Sequence, residues 1–199
     1  MTTQNNQNDI EMPPLNISEL YQKIFDNINF QSPNELMLEL NNIKQNSDIA
    51  IEEFKNVLIE FANILVNISD NHLMKRYKTE ILSTIEKHPK NIIDTFIIHG
   101  YMENNGTYRK EIIEGNEDFF LNKSYNEYTS DSSIVDNIFQ FKSFWKKLDD
   151  DNKFTIKTFL LTLCFYSDKR FVMFNKYREI KQIYGKTYKD IFSLFDDYI

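Results

Sequence analysis

Cysteine occurs once in this 199-residue sequence, at Cys164. A lone thiol excludes an internal disulfide and a thiolate metal cluster, and it suits a reducing compartment. Set among apolar neighbours (LTLCFY), Cys164 reads as inert packing. Glycine is nearly as scarce: Gly100, Gly106, Gly115 and Gly185 are all there are. Nucleophile elbows, phosphate loops and dinucleotide fingerprints use glycine for strained turns or close backbone approach, so none can be assembled. The three histidines, His72, His88 and His99, are spaced 16 and 11 residues apart, which matches no zinc motif, and HExxH is absent. No apolar run nears the roughly 18 residues that span a bilayer. The opening MTTQNNQNDIEMPP lacks the basic start and apolar stretch of a signal peptide. The expectation is a soluble, intracellular, non-secreted protein with no catalytic residue, no metal and no cofactor.

What remains is rich in isoleucine and asparagine, 25 and 23 residues against 2 alanines and 4 arginines. Residues with AT-rich codons dominate, so the bias follows genome composition more than structure. Charge is uneven. Residues 1–140 hold 11 basic and 22 acidic side chains, whereas residues 141–191 hold 12 and 6. The basic third invites an anionic partner. Its candidate contacts are Lys142, Lys146, Lys147, Lys169, Arg170, Lys176, Arg178, Lys181, Lys186 and Lys189, interleaved with Phe171, Phe174, Tyr177, Tyr184 and Tyr188. Such a pattern can track a phosphate backbone and stack on bases. The same aromatics fall at helical spacing, with Met173, Tyr177, Ile180 and Tyr184 on one face, which suits a core equally.

Apolar periodicity predicts an all-α, single-domain bundle of seven to nine helices over residues 15–199, preceded by a disordered arm over 1–14. Residues 134–199 read as a basic helical subdomain of it. Asn16-x-x-Glu19 and Ser32-Pro33-Asn34-Glu35 are helix-start boxes. Helices are expected from Asn16, from Ser32 through Ile43, over Asp48–Ser69, over Asn71–Lys87 and over Lys90–His99. A polar turn follows between Gly100 and Gly106. Next come a short helix near Glu111, an extended piece at Asp118–Leu121 and a loop. Trp145, with Ile138, Phe141 and Leu148, marks a helix packed against one over 154–166. Helices over Phe171–Tyr184 and Thr187–Tyr198 end the chain. Asp149-Asp150-Asp151-Asn152 lacks the glycine of a calcium loop, and position twelve from Asp149 is Leu160, so a helix cap is expected there.

Glu117-Asp118-Phe119-Phe120-Leu121, then an aromatic helix ending W-x-x-L (Trp145, Leu148), an acidic cap with Asn152-Lys153 and an apolar helix form a recognisable succession. Over its last 80 to 110 residues the chain resembles small helical proteins of unknown function from giant nucleocytoplasmic DNA viruses, mimivirus- and phycodnavirus-like. It departs from them at Ile156-Lys157-Thr158-Phe159, where further aromatics are usual. The resemblance implies a viral protein of the host cytoplasm or the virion, and assigns no activity. Surplus aromatics point to a non-enzymatic interaction or structural protein with a protein partner, self or another viral or host protein. The alternative is an accessory nucleic-acid-binding protein using 141–191. No membrane contact is expected.

Overall fold

The computed structural model describes residues 13–14, 16–69, 72–122 and 142–195. Among these residues there are helices and no strand. In order they are α1 (Ile17–Phe25), α2 (Pro33–Ser69), α3 (His72–Lys87), α4 (Pro89–Ile97), a π-turn (Ile98–Met102) and a 3-10 turn (Glu103–Gly106). Then come α5 (Thr107–Ile113), α6 (Glu117–Asn122), a helical stretch at 142–145, α7 (Asp150–Tyr184) and α8 (Lys189–Phe192). No helix of the described residues is long and apolar enough to cross a membrane.

The start signals work as chemistry requires. Asn16 Oδ1 accepts the amide of Glu19 at 3.1 Å, and Ser32 Oγ that of Glu35 at 3.3 Å. Glu35 reaches back to the amide of Gln31 rather than Ser32, at 2.8 Å. Asp149 Oδ1 takes the Asn152 amide at 2.8 Å, so the acidic run is a helix cap. Gly106 holds φ +75° just before α5, a left-handed conformation that glycine adopts at no steric cost.

Two long helices depart from the sequence reading. The break expected between Ile43 and Asp48 does not exist: α2 runs unbroken for 37 residues, about 55 Å. Its polar stretch holds neither Gly nor Pro, and the turns are laced by Asn46 Nδ2 to Asn42 O at 2.8 Å and by Lys44 to Asp48 at 2.6 Å. Nor does the chain break between Tyr166 and Phe171, since α7 runs for 35 residues. Asp118–Leu121 is helical, not extended, and the turn after Gly100 is a π-turn followed by a 3-10 turn. The last helix spans only Lys189–Phe192. Pro13 is buried and the Pro14 carbonyl accepts a hydrogen bond from Arg109. Residues 1–12 and 123–141, which include the expected Ile138 and Phe141, lie outside the described residues.

α2 and α7 lie antiparallel. Glu39 pairs with Lys176 at 2.8 Å, Ser47 meets Arg170 at 2.5 Å and Phe61 stacks on Phe159 at 5.5 Å. Buried small residues on both rods (Ser47, Ala50, Ala62, Cys164, Ser167) let the backbones come close. α1 and α4 cover one flank, where Leu20, Ile24, Phe54, Ile93, Leu163 and Phe171 form one core. Leu36, Leu40, Ile43, Tyr177, Ile180 and Phe192 form a second, and Met173 packs against both.

Candidate functional site

Two features of the fold could carry function. The first is an apolar groove of about 300 Å³. Phe61 and Leu65 of α2 and Ile156 and Leu160 of α7 make its base. Ile112, Phe120 and Leu121 close one side, and Trp145 the other. Tyr108, Phe119 and Phe120 pack edge to face or tilted, at 5.1 to 6.4 Å, and so hold α6 against α5.

Glu117 fixes the rim. Trp145 Nε1 donates to Glu117 Oε2 at 2.9 Å, and Lys157 Nζ stands 2.7 Å from Oε1. The Lys157 hydrogen bond, then that of Trp145, hold the Glu117 carboxyl below its usual 4.5. A depressed carboxyl contributes stability above its unfolded value and loses it as pH falls through the folded value. Trp145 is the only tryptophan, so its emission reports this joint. We expect a shift in Trp145 emission on acidification below 4.5. In Glu117→Gln that transition should vanish and the neutral-pH spectrum should already be altered. An identical acid profile in both proteins would show that Glu117 does not hold the rim.

The second feature is a buried polar knot. Arg109 Nε donates to Asp168 Oδ1 at 2.8 Å, and Nη2 to Oδ2 at 2.6 Å and to the Pro14 carbonyl at 2.7 Å. Tyr101 Oη, carried on the π-turn, donates to Asp168 and lies 3.0 Å from Cys164 O. Arg109, Asp168 and Tyr101 are all buried. Burial, then the neighbouring Cys164 and Asp168, raise Tyr101 well above the usual 10.0. Burial and then Asp168 push the Cys164 thiol up to about 12, which disfavours the thiolate form. A π-turn often marks a working site, but here it serves to aim Tyr101 inward. Among the described residues no group of three His, Cys, Asp or Glu is placed to hold a metal ion. His88 lies exposed between α3 and α4, and His99 is exposed on the π-turn.

The basic residues singled out in the sequence do not gather. Lys142 rims the groove, and Lys146 and Lys147 are exposed just after it. Lys169 lies 4.3 Å from the Phe165 ring. Arg178 and Lys181 lean on Phe174 and Tyr177, and Lys186 and Lys189 are exposed near the end of α7 and in α8. Lys176 is largely covered and paired with Glu39. Arg170 is corrected outright: fully buried, it binds Ser47 Oγ at 2.5 Å and Asp94 at 3.1 Å and offers nothing to an outside partner. Lys169 and Arg178 are about two and a half turns apart, on opposite faces of α7. Sequence reasoning missed Glu117 as an anchor, together with Arg109 and Asp168. Only the unusual rarity of arginine marked Arg109 out. No protein-family model, curated protein or solved structure matches this chain.

Proposed function

We propose that this chain is a non-catalytic interaction protein whose protein partner inserts an apolar side chain into the Trp145 groove. The groove itself carries the reading: a preformed apolar concavity with a few fixed polar groups at its rim is the usual form of a recognition site. The residues behind the resemblance to giant-virus proteins support the setting. Of those residues Glu117, Phe120, Leu121 and Trp145 line this groove. In that setting the protein acts in the infected cytoplasm or within the virion.

The nucleic-acid alternative draws no support from the scattered lysines, because backbone tracking needs contiguous positive charge. The test compares proteins retained from the natural setting by the wild type and by Leu160→Glu. A partner held by the first, lost by the second and able to change Trp145 emission on binding is expected. Equal retention by both would remove the groove from the function. In parallel, titration with DNA and RNA at two salt concentrations should show no saturable binding at the lower one. Binding there that weakens steeply with salt would return the basic set to the function.

A further inference from the structure

α7 carries an apolar stripe that the fold leaves largely uncovered. Phe154, Thr158, Leu161 and Phe165 recur at steps of four, three and four residues, the spacing of a helix–helix seam. Phe154 is 72% exposed, Thr158 is exposed, and Leu161 and Phe165 are only half-buried. Ile156 and Leu160, which line the Trp145 groove, lie on another face of the same helix. The stripe ends at a cavity of about 400 Å³ between α1 and α7, where Phe165, Val172 and Met173 supply apolar wall. Charge is uneven along it. Asp150 and Asp151, both exposed, stand at its start. Lys169 and Lys23 stand at its end against Glu19, while Asp168 there is paired with the buried Arg109. Asp151 and Lys169 are 18 residues apart, about five whole turns, so they share one flank of the stripe.

We infer that this stripe is covered by a second copy of the chain, laid antiparallel about a two-fold axis that crosses α7 at the level of residues 159–160. Such an axis brings Phe154 of either copy level with Phe165 of the other, at the mouth of the cavity, and Thr158 level with Leu161. It also sets Asp151 of each copy against Lys169 of the other, on the same flank, at both ends of the seam. A parallel pairing would instead oppose Asp151 to Asp151 and Lys169 to Lys169, and like charges repel. An isologous contact needs a patch that complements itself, and this one does in both shape and sign. One helix pair buries little area, so the dimer belongs to the weak class. The surface is distinct from the Trp145 groove and stands independently of the function proposed for it.

Sedimentation equilibrium of the full chain, over a concentration series reaching about 1 mM, is the test. The wild type should pass from monomer to dimer within that range. Phe154→Glu should weaken dimerisation at least about tenfold, and in dilute solution it should unfold as the wild type does, because the ring is exposed in the single chain. Asp151→Lys and Lys169→Glu should each weaken the dimer several-fold. The double variant carrying both should recover most of that loss, since Lys at 151 then meets Glu at 169 across an antiparallel seam. A wild type that stays monomeric, which would leave the stripe to another protein, overturns the proposal. So does a dimer indifferent to Phe154→Glu, or a double variant that associates no better than the single ones.

Discussion

Asp168→Ala should lower stability by roughly 3–5 kcal/mol, because it strands a buried guanidinium. In the native protein Asp168 accepts both forks of Arg109 and the Tyr101 hydroxyl. Without it, Arg109 loses both carboxylate bonds and keeps that to the Pro14 carbonyl, and the buried Tyr101 hydroxyl loses its carboxylate. Burial alone would pull Arg109 down, but the hydrogen bond and charge of Asp168 outweigh it and raise the group above its ordinary value. A guanidinium is too basic to lose its proton even without that support, so in the variant the charge is left in a poor solvent. For a chain of this size the melting midpoint should fall by about 6–20 °C. The double variant Arg109→Met/Asp168→Leu should be more stable than Asp168→Ala, since it leaves no charge behind. Thermal and urea unfolding of the three proteins decide the matter. A loss below about 1 kcal/mol would mean that Arg109 finds water and that the knot is not a structural tie.

Phe54→Ala is the second large effect, roughly 3–5 kcal/mol. Phe54 is 1% exposed, sits in the core with Leu163 and Phe171, and meets Phe96 of α4 edge to face at 5.4 Å. Truncation removes the ring and leaves a void between rigid helices that cannot collapse onto it. Phe154→Ala is the matching control. That ring is 72% exposed on α7, and its loss should change stability by no more than about 0.5 kcal/mol. Equal costs at the two sites would contradict the packing described.

The sequence made the all-helical class plain, because its apolar spacing is helical and nothing alternates as a strand does. The caps at Asn16 and Ser32 were legible for the same reason, and so was a cap within Asp149–Asn152, which the structure places at Asp149. They depend on residues within one turn, and no distant contact competes with them. Leu36, Leu40, Ile43 and Phe54 were placed in a buried stripe and are buried. The aromatics of α7 were weighed as core and as base-stacking surface. Phe171 and Tyr177 are core, whereas Phe174 is exposed.

The sequence alone thus determined the helical class and the caps at Asn16 and Ser32, since each rests on neighbours within a few residues. Tertiary structure decided where the helices do not end. Asn46-Ser47-Asp48 and Ser167-Asp168-Lys169-Arg170 look like polar connections, yet both lie in mid-helix. Ser47, Asp168 and Arg170 are buried because Asp94, Arg109 and Tyr101 come from other helices to satisfy them. Most polar side chains enter a core where distant donors and acceptors meet them, although the buried Ser167 hydroxyl has no hydrogen-bond partner among the described residues. No local pattern records those partners. The groove was hidden in the same way: its walls come from α2, α6, α7 and Trp145, which adjoin only once the long helices have paired.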